Sequence, residues 1–444
     1  MTVSRTISLG FLAVITVGAL LLMMPFSSSS GDWTDPIAAL FTSTSAVCVT
    51  GLSVVDVGTY FSFWGQFILV ALVQIGGLGY MTATTFLLII IGAKFGLRDK
   101  IAIQQALDRT GLNNSADLIR SIIAVTLIFE ITGTFLLLPV FTPQHGLDRG
   151  LWLAIFHSIN SWNNAGFSLF KDSFIGYQSS VLLNLVVTGL IILGGIGYGV
   201  LFQIYLLLRD RIQHRTERII LSLDFQVATS TTLILLFAGT VAFFLIELRN
   251  PNTFGALSLK DRILAAWFQS VTPRTAGFNT IDIGKMTTAG LFLTIALMFI
   301  GASPGGTGGG IKTTTLRVLT SCTKAILKGK QEVLLYERQI PVNLILKAVG
   351  VLVGSVTTVM IATISIALTD PELDFIQLLF EVVSAFGTVG LSTGITANIS
   401  AAAKLVLIAT MFIGRVGILL LIGAVLGDPR PSAIHYPEEN LLVG

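Results

Sequence analysis

Four short stretches of this chain are suited to holding a bare cation with main-chain oxygens. They read Cys48-Val49-Thr50-Gly51-Leu52-Ser53, Asn163-Asn164-Ala165-Gly166-Phe167-Ser168, Arg274-Thr275-Ala276-Gly277-Phe278-Asn279 and Gly387-Thr388-Val389-Gly390-Leu391-Ser392. Gly is fourth in each, Leu or Phe follows, and Ser or Asn closes the motif. Rings of carbonyl oxygens around one axis replace the hydration shell of an alkali cation. Turning those carbonyls inward needs dihedrals that a Cβ obstructs, and Gly reaches φ > 0 without steric cost. The pattern predicts a filter of Val49, Thr50 and Gly51; Asn164, Ala165 and Gly166; Thr275, Ala276 and Gly277; and Thr388, Val389 and Gly390. The paired Asn163 and Asn164 equally suit the cap of a preceding helix.

The elements that must position these stretches repeat with them. The glycines lie 115, 111 and 113 residues apart, so the chain is four versions of one unit. Phe41, Phe156, Phe268 and Phe380 precede them by nine or ten positions, the third copy being one residue shorter. Downstream lies a second landmark: Gly76-Gly77-Leu78-Gly79, Gly194-Gly195-Ile196-Gly197, Gly301-Ala302-Ser303-Pro304 and Gly414-Arg415-Val416-Gly417. Eight apolar stretches, about 7–26, 63–92, 119–141, 180–208, 226–248, 287–327, 342–368 and 402–426, are long enough to cross a bilayer. They form a leading and a closing helix around each motif. Between them Pro36–Val47, Leu151–Trp162, Ile263–Val271 and Phe375–Phe386 read as half-helices that run into the motifs. Such re-entrant backbone is tolerated at membrane depth where it lines a water-filled cavity or is buried in protein. The partially negative C-terminal end of each half-helix would face the cavity and favour a cation.

The expected fold is an all-α membrane protein of four pseudo-symmetric helix–pore loop–helix repeats around one central pore. Repeat one covers 1–100, repeat two 101–215, repeat three 216–335 with an intramembrane loop at 302–314, and repeat four 336–444 with a C-terminal tail. Composition agrees: 11% of residues are charged against roughly 25% in soluble domains, which places the chain in a bilayer. The run 7–26 exceeds a signal-peptide core and no small-x-small site follows it, so it reads as the opening helix. Connections 94–120, 209–226 and 312–347 hold most of the 27 Lys and Arg, which predicts that they and both termini are cytoplasmic. The motifs then share the outer side, where Asp32, Asp35, Asp56, Asp172, Asp282, Asp370, Glu372 and Asp374 either concentrate cations or are ordinary loop charge.

Other chemistries find little support. A net charge of +3 without basic-aromatic patches argues against nucleic acid. Two cysteines, Cys48 and Cys322, and four scattered histidines give no metal-ligand spacing. A membrane enzyme would have to use Glu130 and those histidines, none at catalytic spacing. The run Gly305 to Thr313 resembles a phosphate-binding loop, but Ile311 separates Gly310 from Lys312 and no strand–loop–helix pattern surrounds it.

That run belongs to a longer break in the third closing stretch: Gly301, Ala302, Ser303, Pro304, Gly305, Gly306, Thr307, Gly308, Gly309 and Gly310, followed by Ile311 and Lys312. Interior Gly costs a helix about 1 kcal/mol and Pro about 3, so the helix stops here. A loop across the pore below the filter, serving as a gate, is the expected use. Arg415 replaces the second landmark residue in repeat four, and a charge at mid-membrane marks an ion pathway or a bound partner. It reads either as a positive barrier on the pore axis or as a clamp on carbonyls of the 302–314 loop. Glu130 lies in the second leading helix with no partner evident from sequence.

These features together resemble the Trk/Ktr/HKT superfamily of cation transporters over essentially the whole chain. Opening directly with repeat one makes the chain more similar to the Ktr branch. The resemblance implies potassium uptake, with K+ held at the carbonyls of Gly51, Gly166, Gly277 and Gly390 and Na+ as an activator or co-ion. It implies no organic cofactor on this chain. It also implies a homodimer in the bacterial inner membrane, in contact with lipid and a cytoplasmic nucleotide-binding regulatory ring. Gly at position 51, where sodium-preferring relatives carry Ser, points to potassium; a sodium-selective or non-selective member is the alternative.

Overall fold

The computed structural model describes residues 3–79, 115–213 and 221–426. The second half of the first closing stretch, most of the basic connection 94–120, residues 214–220 and the tail with Arg430 lie outside the described residues. Repeat one runs α1 (Val3–Met23), α2 (Pro36–Val47), the one-turn α3 (Val57–Tyr60) and α4 (Phe63–Leu78). Repeat two runs α5 (Ser115–His145), α6 (Leu147–Trp162), α7 (Val181–Gly195) and α8 (Tyr198–Ile212). Repeat three runs α9 (Leu223–Glu247), α10 (Leu259–Val271), α11 (Thr288–Phe299) and α12 (Thr313–Leu327). A small antiparallel hairpin, β1 (Leu334–Leu335) with β2 (Arg338–Gln339), leads to repeat four: α13 (Val342–Thr369), α14 (Phe375–Phe386), α15 (Ala401–Val416) and α16 (Ile418–Leu426).

Among the described residues, the four leading helices α1, α5, α9 and α13 are long and apolar enough to cross a membrane. The half-helices appear as expected, beginning four residues earlier in repeats two and three. The closing stretches are not the single spans that apolarity suggests. α7 and α8 meet at 106°, and α15 and α16 at 99°. The second landmark explains both bends. Its last glycine is left-handed, with φ of 98° at Gly197 and 87° at Gly417, and Gly79 ends α4 with φ 78°. An α-helix cannot continue through that conformation.

The first landmark glycine has a different task. A Cβ on Gly76, Gly194 or Gly414 would run into the carbonyl of Val47, Trp162 or Phe386, the last residue of the half-helix in the same repeat. Close approach of closing helix to half-helix therefore needs Gly. The other flank of each half-helix is held by a hydroxyl. Ser43, Ser158 and Ser270, each two residues after the buried aromatic, donate at 2.7 Å to Ile15 O, Glu130 O and Leu236 O of the leading helix. Gly18, Gly133 and Gly239 stand three residues further along those helices and leave room for the same serines. Repeat four has Val382 there and lacks the clasp.

All four closing helices start on a hydroxyl N-cap: Ser62, Ser180, Thr287 and Ser400. In three repeats the cap also ties the helix to the end of its leading partner. Ser62 N donates to Ser27 O at 2.9 Å, Thr287 N to Glu247 Oε1 at 2.9 Å, and Ser400 N to Asp370 Oδ1 at 2.8 Å. Phe41, Phe156, Phe268 and Phe380 are fully buried, so the half-helices are the centre of the core.

Candidate ion pore

Each half-helix ends in the same way. In repeats one, two and four the motif's second residue is left-handed, with φ of 56° at Val49, 57° at Asn164 and 50° at Thr388. The following amide reaches back five residues: Thr50 N to Ser45 O at 2.7 Å, Ala165 N to Asn160 O at 2.8 Å, Val389 N to Ser384 O at 2.8 Å. This is a Schellman termination, in which Gly usually takes the left-handed place. Val and Thr there are strained, of the order of 1–3 kcal/mol each. Repeat three closes its shorter register differently. Helix α10 ends before Pro273, which has no N–H to give, and Ala276 N bonds Thr272 O four residues back at 3.0 Å. Thr275 is still left-handed, with φ 67°, so the missing residue is absorbed in the helix end.

The motif's fourth residue is left-handed too: φ is 90° at Gly51, 67° at Gly166, 79° at Gly277 and 92° at Gly390. These four glycines form a closed ring. A Cβ on Gly51 would lie 2.9 Å from Gly166 Cα, and one on Gly166 would lie 3.0 Å from Gly277 Cα. On Gly277 it would lie 3.2 Å from Gly390 Cα, and on Gly390 3.1 Å from Gly51 Cα. Each would also press on the carbonyl oxygen of the neighbour's third residue: Ala165, Ala276, Val389 and Thr50 in turn. The repeats thus meet in the order one, two, three, four around one axis, with no room for any side chain at this level. On one side the glycines line an open vestibule of about 830 Å³, which also carries Asp56, Lys171, Asp172, Asp282 and Lys285.

The Gly-rich loop lies against the other side. Gly309 N donates to Thr388 Oγ1 at 3.0 Å, and a Cβ on Gly308 would collide with the Thr275 side chain. The loop is fixed to repeat two, where Ser303 N donates to Gly195 O at 3.0 Å, Thr307 N to Gly194 O at 3.2 Å, and Tyr198 N to Gly305 O at 3.1 Å. Ser303 and Thr313 hydroxyls pair at 2.8 Å across its neck, Gly301 N bonds Ile311 O at 2.8 Å, and Lys312 Nζ reaches back to Gly308 O at 2.9 Å. Ala302 is buried, whereas Pro304, Gly305, Gly306 and Gly310 are partly exposed. Arg415, half-buried, donates from its two terminal nitrogens to Thr307 O of the loop and Gly76 O of repeat one.

Over residues 2–428 the sequence matches the TrkH family, described as "Cation transport protein". The chain belongs to this family. It is 38% identical over 444 residues to "Ktr system potassium uptake protein B" of Bacillus subtilis (strain 168), covering all of this chain and 97% of that one. It is 38% identical over 446 residues to "Potassium/sodium uptake protein NtpJ" of Enterococcus hirae, covering 99% and 97%. The solved potassium transporter TrkH from Vibrio parahaemolyticus shares the fold, with TM-score 0.71 at 20% identity over 95% of this chain and 85% of that one.

In this TrkH-family chain the remaining polar residues also find their places. Glu130 accepts from Asn163 Nδ2 at 3.1 Å, and the same amide donates to Gln74 Oε1 at 2.8 Å and to Ile159 O at 2.9 Å. Asn163 is thus a helix-end cap bridging repeats one and two. Asn164 lies 3.2 Å from Thr275 Oγ1, bridging repeats two and three. The strained second position was not visible in the sequence, because Val, Asn, Thr and Thr share no residue type. The polar residue after each half-helix aromatic, Thr42, His157, Gln269 and Glu381, could have been found from the repeat register.

Proposed function

We propose that this chain is the pore-forming subunit of a potassium uptake system, passing K+ inward down the axis of the glycine ring. The closed ring is the single observation that supports this reading most. Four left-handed glycines, each against the next repeat's third carbonyl, bring main-chain oxygens of all four repeats to one level, which supports a ring able to substitute for hydration water. The filter is Val49 to Gly51, Asn164 to Gly166, Thr275 to Gly277 and Thr388 to Gly390, and K+ sits at the carbonyls of this ring. The names of the Bacillus and Enterococcus relatives, potassium uptake and potassium/sodium uptake, support the same cargo and leave sodium as activator or co-ion.

The 301–312 loop obstructs the path below the filter and serves as the gate, and Arg415 is its catch: it holds Thr307 while placing positive charge beneath the ring. Both termini face the cytoplasm, where the subunit works as a homodimer on a nucleotide-binding regulatory ring. The membrane potential, about 2.3 kcal/mol per charge per 100 mV, is sufficient drive for accumulation. Rubidium uptake into proteoliposomes under an inside-negative potential tests the reading. Uptake that is saturable and outcompeted by K+ over Na+ supports it; no uptake by correctly assembled protein rejects it.

A further inference from the structure

The residue after the buried aromatic of each half-helix is polar and buried in all four repeats: Thr42, His157, Gln269 and Glu381. In repeats two and four it reaches forward to the motif's sixth residue. His157 Nδ1 lies 2.8 Å from Leu153 O, and a carbonyl can only accept, so Nδ1 carries the proton. Its Nε2 then accepts from Leu169 N at 3.3 Å and lies 3.1 Å from Ser168 Oγ. These partners require a neutral ring. At the matching place in repeat four, Glu381 Oε1 accepts from the Ser392 hydroxyl and from Thr393 N at 3.0 Å, and Oε2 from Thr396 Oγ1 at 2.9 Å.

Repeats two and four face each other across the ring, so the same position holds a neutral imidazole on one side and an ionisable carboxyl on the other. Glu381 is 2% exposed, and among the described residues no cation forms an ion pair with it. A buried carboxyl without a counter-charge relieves that cost by holding a proton, and gives the proton up when a cation nearby supplies the counter-charge. All three of its donors belong to residues that line the vestibule next to Gly390. The outer end of the ring opens onto the same vestibule, which Gly390 also lines.

We propose that Glu381 is a positioning residue that sets the affinity of the outer ion site. It holds the return strand after Gly390, and its charge takes the entering monovalent cation as its partner. The inference rests on the pore reading above and adds the residue that governs occupancy from outside. Ser392 and Thr396 serve it as donors and have no ion-ligand role of their own.

The test is rubidium uptake into proteoliposomes, measured against external concentration, for wild type, Glu381→Gln and Glu381→Asp, with assembly checked by size-exclusion chromatography. Glu381→Gln keeps size and loses charge. It is expected to raise the half-saturating concentration about tenfold while the maximal rate stays within about threefold. Glu381→Asp keeps charge and loses reach, and is expected to hold half-saturation near wild type with a lower maximal rate. Unchanged half-saturation in Glu381→Gln overturns the inference. So does an Asp variant that loses affinity as fully as the Gln variant, since that marks a purely structural contact. If Glu381→Gln fails to assemble, the Asp variant decides: half-saturation near wild type supports the inference, and a rise of about tenfold overturns it. Either negative result leaves the pore reading intact, whereas absence of wild-type uptake removes that reading first.

Discussion

Two levels of the molecule, one directly beneath the other, treat the fourfold repeat in opposite ways. At the glycine ring all four copies converge: left-handed second residue, left-handed fourth residue, and a neighbour's carbonyl where a Cβ would stand. Immediately below, at the second landmark, they diverge. Repeats two and four bend by 106° and 99° at a single glycine, repeat three opens into a loop, and repeat four alone carries an arginine. The difference teaches which constraint is shared. A ring of four must close, so each copy is held to one conformation. The breaks below need not match, and one could be extended into a loop that reaches beneath the ring.

The largest effect should follow from breaking the symmetric level. Gly51→Ser, Gly166→Ser, Gly277→Ser and Gly390→Ser each place a side chain against the next repeat, and each should erode K+ over Na+ selectivity at least tenfold. Competition by Na+ against rubidium uptake measures it. A large loss in one variant and none in the others would refute the equivalence of the four copies.

The asymmetric level should respond by repeat. Deleting Pro304–Gly309 should raise flux several-fold, and Arg415→Gln, which frees Thr307 O, should raise it by a smaller factor. Gly417→Ala, at the break of repeat four, should chiefly lower stability, because φ 87° is costly for any residue with a Cβ, about 1–2 kcal/mol, and an added Cβ there meets nothing within 4 Å. Flux assays and thermal melting separate these outcomes. A flux increase from Gly417→Ala as large as that from the loop deletion would erase the distinction.

Smaller effects test the clasps. Ser43→Ala, Ser158→Ala and Ser270→Ala should each cost about 1 kcal/mol, with no counterpart at Val382. At the vestibule end, burial would raise the Asp370 carboxyl. The Ser400 and Thr369 hydroxyls, the Ser400 amide and the nearby Lys404 outweigh burial and hold it below its usual range. A carboxylate shifted down contributes stability above its unfolded value, about pH 3.9, and loses it as pH falls through the folded value. Asp370→Asn should therefore melt lower than wild type at neutral pH, with the gap closing in acid. A gap that does not narrow as pH falls through the acid range would contradict the assignment.

Much of this could be read from residues alone, and the reason is repetition. Phe41, Gly51 and Gly76 mean little singly; their recurrence fixed the repeats, the half-helices and the fourth-position glycines. The Gly-rich break and Arg415 stood out by violating helix and membrane chemistry. What stayed hidden involved main-chain geometry or contacts between repeats. Val49 gives no sign of φ 56°, since Schellman termination normally selects Gly. The bends at Gly197 and Gly417 are invisible to apolarity, which reads through them. Glu130 lacked a partner because Asn163 belongs to another helix, 33 residues away.

The central proposal is that a cation rests inside the ring, held by the carbonyls of Gly51, Gly166, Gly277 and Gly390 together with those of the residues before them, Thr50, Ala165, Ala276 and Val389. Anomalous diffraction from crystals of the protein soaked in thallium(I) tests it most directly. The account predicts a peak on the axis, level with those oxygens and above the 301–312 loop. A saturating soak that leaves the ring empty while placing thallium only elsewhere would contradict it.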